Sequence, residues 1–156
     1  MPVVDLRELR AALPTGQRVL GLDLGEKTIG LALSDATLTV ATPVEVIRRT
    51  KFTADVARLA AIVRERQVGA FVLGLPVNMD GSEGPRCQSV RAFAENLLAK
   101  IDLPLVFWDE RLSTAAVERM LIEEADMSRQ RRRAVVDKAA AAYILQGALD
   151  AARPRS

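Results

Sequence analysis

The run Arg18-Val19-Leu20-Gly21-Leu22-Asp23-Leu24 is apolar on both faces of any strand it could form. A strand of that kind fits only the middle of a sheet covered on both sides, so the chain is read as a layered α/β fold. Asp23 interrupts the run. An ionised carboxylate left unpaired in such surroundings is costly, so Asp23 requires a cation, a set of hydrogen bonds or a proton. Gly25, two residues on, lets a backbone or a ligand come close.

The neighbours of this strand follow in order. Residues 5–13 place Leu6, Leu9 and Leu13 at helical spacing, ended by Pro14 and Gly16. After the strand at 18–24, residues 25–28 form a tight turn, and Ile29–Ser34 reads as a second strand pairing antiparallel with the first. A polar loop containing Thr42-Pro43 precedes a third strand at Val44–Ile47. A helix starts near Thr53, a plausible N-cap, with Val56, Leu59, Ala60 and Val63 on its apolar face. Ala70–Leu75 is a buried strand of the parallel type. The glycine-rich loop Asn78–Gly84 leads into a helix from Pro85, since proline suits the first helical position. Leu103–Trp108 is the fifth strand, and Ser113 or Thr114 caps a helix through about Glu124. Residues 125–133 read as a loop or frayed helix end, and a last helix runs from about Ala134 to Ala151. A meander followed by βαβ units predicts one mixed sheet with helices on its faces. The expected organisation is a single domain over 1–152, with 1–16 as an N-terminal extension and 153–156 as a disordered tail.

Composition decides which chemistry is open. The chain of 156 residues has no histidine, which removes Ser-His-Asp and Cys-His catalysis and the usual zinc sites. Any metal must be held by oxygen, which favours Mg²⁺ or Mn²⁺. The single cysteine, Cys87, allows no intrachain disulfide. No apolar run approaches membrane-spanning length, and the early acid at Asp5 is unlike a signal peptide, so the expected compartment is the cytoplasm. Of 22 basic residues 18 are arginine, whose planar forks suit phosphate oxygens.

Three carboxylates from different elements could carry that chemistry. Asp23 is the first. Asp109 and Glu110 lie at the carboxyl end of a parallel strand, where open α/β sheets place their ligands. Their side chains point opposite ways, so one of them joins Asp23. Glu110 has the reach, and Asp109 is a supporting partner. Asp137 lies in the first turn of the last helix, a position where acids also serve the helix dipole. The helix continues with four alanines, small enough to lie close on a sheet, and follows Arg129, Arg131, Arg132 and Arg133. Acids that hold cations beside arginines that hold a backbone suit a phosphodiester enzyme. Converging acids could bind two divalent ions about 4 Å apart, activating a water and stabilising the leaving oxygen.

These residues resemble the YqgF family, also called RuvX, of the ribonuclease H-like superfamily. The resemblance rests on Gly21–Gly25 with Lys27–Gly30, on Gly74–Glu83, on Asp109–Thr114, and on Asp137 with Ala139-Ala140. It implies a ribonuclease H-like fold with a five-stranded mixed sheet, three strands antiparallel and two parallel. It implies Asp23, Glu110 and Asp137 as metal-binding catalytic residues. It further implies a nuclease that matures the 5′ end of pre-16S rRNA, with a Holliday junction resolvase acting on four-way DNA as the alternative. Lys27, Asn78, Ser82, Arg111 and the four arginines at 129 and 131–133 are the candidate nucleic-acid contacts.

Two other classes compete. Actin- and sugar-kinase-like phosphotransferases share the D-x-G strand, but they bind ATP between two related domains, and one copy forms no such cleft. A non-catalytic RNA-binding assembly factor is the other. Aromatics are 4% of the chain and fall in apolar patterns, which leaves few for base stacking. The expected partners are structured RNA or branched DNA, with the protein a monomer or weak homodimer. A junction resolvase would need two sites and hence a dimer.

Overall fold

The computed structural model describes residues 3–112 and 129–152, and for 112 and 129–138 the backbone alone. Its strands are β1 (Arg18–Leu24), β2 (Thr28–Ser34), β3 (Ala41–Arg48), β4 (Val68–Leu75) and β5 (Leu105–Asp109). Its helices are α1 (Leu9–Ala12), α2 (Phe52–Glu65), α3 (Pro85–Lys100) and α4 (Arg129–Ala152). The five strands form one sheet in the order β3-β2-β1-β4-β5. β1 pairs antiparallel with β2 and β2 with β3, while β4 runs parallel to β1 and β5 parallel to β4. This is the expected mixed sheet, with β1 at its centre.

Alternation along the strands divides the core in two. Leu20, Leu22, Ile29, Leu31, Phe71, Leu73 and Leu105 face α2 and α3, where they meet Leu59, Ile62, Val90 and Leu97. Val19, Ala70, Val72 and Val106 face α4, where they meet Ala141, Ile144, Leu145 and Ala148. Burying each large side chain contributes about 1.5–3 kcal/mol before entropy is counted. On the α4 side the sheet is lined by small residues, so the helix lies very close. A Cβ on Gly21 would stand 2.8 Å from Leu145 Cβ, and one on Gly147 2.9 Å from the Trp108 ring. Gln146 ties α4 to the β2–β3 connection, accepting from the Ala41 N–H and donating to the Thr39 carbonyl. Leu9 is fully buried on this side, so the N-terminal segment packs into the core.

The structure moves several boundaries. β3 begins at Ala41 rather than Val44 and takes Pro43 into the strand. Proline is tolerated there because β3 is an edge strand and the register slips at that point, with Leu31 opposite Glu45 but Ala32 opposite Pro43. α2 begins at Phe52, one residue before the expected cap. Its start is closed by Asp55, which reaches back to accept from the Thr50 N–H and hydroxyl. Residues 129–133 have helical backbone, which favours the helix-end reading of that stretch over the loop. The outer edge of β5 is met by the N-terminus, where Val4 N–H donates to the Leu105 carbonyl beside a Val3–Leu105 bridge. The expected cap at Ser113 or Thr114, its helix and the 153–156 tail lie outside the described residues. Among the described residues no helix is long and apolar enough to cross a membrane.

Candidate active site

Asp23 stands one residue from the carboxyl end of β1, on the face turned towards α4. Its cross-strand partner on β2 is Gly30, which puts no side chain in its way. Glu110 enters from the other side. It follows β5 directly and opens a short 3₁₀ turn, Glu110–Leu112. Between the two runs β4, and the residue there is Gly74. A Cβ at Gly74 would lie 2.6 Å from Glu110 Oε1 and 2.7 Å from Ile144 Cδ1. The missing side chain is therefore the space in which the Glu110 carboxyl rests.

From that seat Glu110 is hydrogen-bonded to Asp23. Burial, and then the charge of Asp23, raise the Glu110 carboxyl from its ordinary range to about 7. The Arg86 guanidinium pulls it partly back. Below about pH 7 Glu110 therefore keeps a proton that an exposed carboxyl would have lost, as expected of a half-buried acid beside a like charge.

Asp109 behaves otherwise. It points to the opposite side, as strand alternation requires, and is clasped by Arg111. Arg111 Nη2 and Nε donate to Asp109 Oδ2 at 2.6 and 2.9 Å, and the Arg111 backbone N–H donates to Oδ1 at 3.0 Å. This contact holds the Asp109 carboxyl below the usual carboxylate range. Arg111 also donates to the Met79 carbonyl, so it ties the strand end to the 78–84 loop.

That loop is internally braced. The Asn78 amide donates to Ser82 Oγ at 3.0 Å, and the Ser82 hydroxyl and N–H both donate to Asp80 Oδ1, at 2.6 and 2.9 Å. Asn78 and Ser82, expected as nucleic-acid contacts, thus hold the shape of a loop that borders a cleft of about 410 Å³. Glu110, Arg111 and Arg86 line the same cleft. A second cleft of about 290 Å³, on the Gly25 side, shares Arg86 and is flanked by Arg49. Arg49 donates to the Gly25 carbonyl at 2.6 Å and fixes the β1–β2 turn, on which Lys27 is exposed.

Arg86 is a residue that motif reading passed over, and Gly74 entered it only as the first residue of the Gly74–Glu83 stretch, with no role given to it. Both carried a signal: a glycine inside an otherwise fully apolar strand, and an arginine directly after the proline that starts α3. Cys87 beside it is buried, and its thiol donates to the Pro76 carbonyl at 3.2 Å. Burial pushes that thiol up, away from nucleophilic use.

Among the described residues no group of three acids, cysteines or histidines forms a metal cluster. Asp137 lies on the helical backbone of α4, but its side chain, like those of Arg129, Arg131, Arg132 and Arg133, is outside the described residues.

Residues 17–151 match the family described as "RuvX: Holliday junction resolvase". The chain belongs to the RuvX family. Two relatives carry the name "Putative pre-16S rRNA nuclease". The one from Rhodospirillum rubrum is 64% identical over 151 residues, covering 97% of this chain and 94% of the relative. The one from Paramagnetospirillum magneticum is 64% identical over 150 residues, covering 96% of each. Solved structures share the fold at low identity. RuvC from T. thermophilus, solved in complex with a Holliday junction substrate, superposes with a TM-score of 0.52 at 15% identity, covering 86% of this chain and 94% of RuvC. The fowlpox virus resolvase, solved with Holliday junction DNA, gives 0.52 at 10% identity, covering 86% and 98%. The RuvX chain therefore has the ribonuclease H-like fold, with Asp23 near the carboxyl end of the central strand and Glu110 just after the edge strand β5.

Proposed function

We propose that this chain is a divalent-metal-dependent nuclease that trims the 5′ end of pre-16S rRNA in the cytoplasm. The observation that carries the reading is the Asp23–Glu110 carboxyl pair, with Glu110 seated in the gap left by Gly74. Burial and the charge of Asp23 raise Glu110 well above the ordinary carboxylate range there.

The donor set fits a hard cation. It is all oxygen, in a chain without histidine, and the Gly74 gap leaves the carboxyl oxygens room to turn together towards one point. Asp23, Glu110 and Asp137 would hold Mg²⁺ or Mn²⁺. Asp137 is assigned on its place along α4. Ala141 lies over Gly21, and 137 is one turn earlier on the same helix face, towards the end of β1 that carries Asp23. When bound, the ions activate a water and stabilise the leaving oxygen of the phosphodiester.

The other residues bind and orient. Arg86 stands between the two clefts beside the acids and offers its fork to a phosphate entering there. Lys27, exposed on the β1–β2 turn, and the arginines at 129 and 131–133 hold the flanking backbone. Arg111 acts chiefly through the loop, keeping Asn78, Ser82 and their backbone N–H groups in one conformation at the rim.

The test offers pre-16S rRNA and a four-way DNA junction side by side, with Mn²⁺ or Mg²⁺ and with chelator, to wild type and Asp23→Asn. Metal-dependent trimming of the RNA, lost in the variant while folding and RNA binding persist, is the expected result. Cleavage of the junction alone would assign the chain to resolvase chemistry. Cleavage of neither, with RNA binding intact, would leave a binding factor.

A further inference from the structure

The end of β1 remote from Asp23 carries a second polar feature that cleavage does not use. Arg18 opens the strand on the side facing α2 and α3. Its Nε is buried and meets no hydrogen-bond partner among the described residues. A buried N–H left unmade costs about 1–3 kcal/mol, and such an orphan in a native fold calls for a bound group.

Arg18 lines a cleft of about 620 Å³. Clefts that hold small ligands span about 300–1,000 Å³. Arg66, the residue that caps the end of α2, lines the same cleft and is exposed. The acids nearby are already engaged. Asp35 also lines the cleft, but its carboxylate accepts from the Thr37 hydroxyl and from the Thr39 and Val40 N–H groups, which hold it at about 2. Glu45 on β3 is forked by Arg58 at 2.7 and 3.1 Å. Two arginines thus share a cavity with one ionised acid, Asp35, which leaves its lining net positive, beside Leu33, Pro43 and Val44, and Arg66 also feels the charge of Glu45.

We propose that Arg18 and Arg66 form a phosphate-binding site, separate from the catalytic centre. An arginine fork matches two phosphate oxygens, and apolar neighbours strengthen that contact by excluding water. Arg18 is five residues from Asp23, about 17 Å along the strand at ~3.3 Å per residue, and on the other face of the sheet. The site therefore grips a phosphate well away from any scissile bond. That phosphate comes either from the backbone of a long nucleic acid that wraps the sheet or from a small free phosphate compound.

The test reads the arginine Nε–H signals of the full chain by NMR, with Arg18 and Arg66 assigned by loss of signal in Arg18→Gln and Arg66→Gln. Inorganic phosphate is titrated against chloride at matched ionic strength. The Arg18 signal should shift saturably, and Arg66→Gln should weaken that response several-fold. A shift no larger than that given by chloride, or one unchanged in Arg66→Gln, overturns the site. Arg66→Gln alters an exposed helix end, so it keeps the test valid if Arg18→Gln fails to fold.

Two duplex RNAs identify the source, one long enough to reach from Asp23 to Arg18 and one too short. If the longer displaces phosphate, and the salt slope of its binding falls by about one in Arg66→Gln, the ligand is nucleic-acid backbone. If neither does, the phosphate response itself marks a small-molecule site. No readout depends on cleavage, so this site and the nuclease assignment can fail independently.

Discussion

Glu110 occupies the volume that a side chain at Gly74 would need, and Ile144 of α4 closes the same gap from above. Gly74→Ala should therefore push the Glu110 carboxyl away from Asp23 and strain the seat of α4. Overpacking of this kind costs about 1–3 kcal/mol, and displacing a catalytic group by about 1 Å can cost ~10²-fold in rate. Urea unfolding and single-turnover cleavage measure the two separately. An unchanged cleavage rate in Gly74→Ala would mean that Glu110 does not work from this position.

The raised Glu110 carboxyl gives the metal-free protein a pH signature. Folded Glu110 keeps its proton to about 7, whereas the unfolded chain releases it near 4.5. Between those values the folded state binds more protons, so stability falls as pH rises through that window, by about 1–3 kcal/mol. Asp23→Asn removes the like charge but not the burial, so the fall should become shallower and not vanish. Urea unfolding in chelator at about pH 5 and about pH 8, in wild type and variant, reads this directly. A steeper fall in the variant would contradict the pairing.

Metal should reverse that trend. A divalent ion must displace the Glu110 proton, so Mn²⁺ or Mg²⁺ should raise the melting temperature more above pH 7 than below it. Cleavage should stop in chelator and return on adding either ion. In Asp23→Asn the metal-induced shift should be largely lost, which calorimetry can follow without any substrate.

The Asp109–Arg111 clasp should be worth little to the fold and more to the rim. Both side chains are partly exposed, at 28% and 34%, so Asp109→Asn should cost only about 0.5–1 kcal/mol. Releasing Arg111 also loosens its hold on the Met79 carbonyl, so RNA binding should weaken more than stability does. Arg111→Lys should not restore binding, because an ammonium cannot span both Asp109 oxygens and Met79 as the fork does.

If the arginines at the start of α4 hold substrate backbone, Arg131→Gln, Arg132→Gln and Arg133→Gln combined should lower the salt slope of RNA binding. The fall should be about 0.7–0.9 for each phosphate that is no longer neutralised. The maximal cleavage rate at saturating RNA should be nearly unchanged, whereas a slower rate with binding intact would move these residues into the chemistry.

Much of this arrangement was readable from residue order because it follows from periodicity. The two-sided apolar run at 18–24 had to lie inside, and it is the central strand. Asp109 and Glu110 are expected to part ways at the strand end, and in the structure Asp109 meets Arg111 while Glu110 meets Asp23. What escaped reading depended on partners distant in the chain. Pro43 reads as a loop residue until β3 is known to lie at the rim with a slip in register. The arginines at 129–133 read equally as a loop or a frayed helix end, because nothing local in a charged run decides whether its backbone is helical. Asp109 and Arg111, two apart at a strand end, share a side, and that spacing could have foretold their clasp. The place of Gly74 against Glu110 could not be read, since it depends on β4 lying between β1 and β5.

Both rims of the sheet are guarded. On one side Pro43 removes an N–H and the slipped register kinks β3, and on the other Val3 and Val4 already lie against Leu105. Neither margin offers an incoming strand a long, regular row of free donors and acceptors. At high concentration the described edges therefore resist zipping together into fibrils.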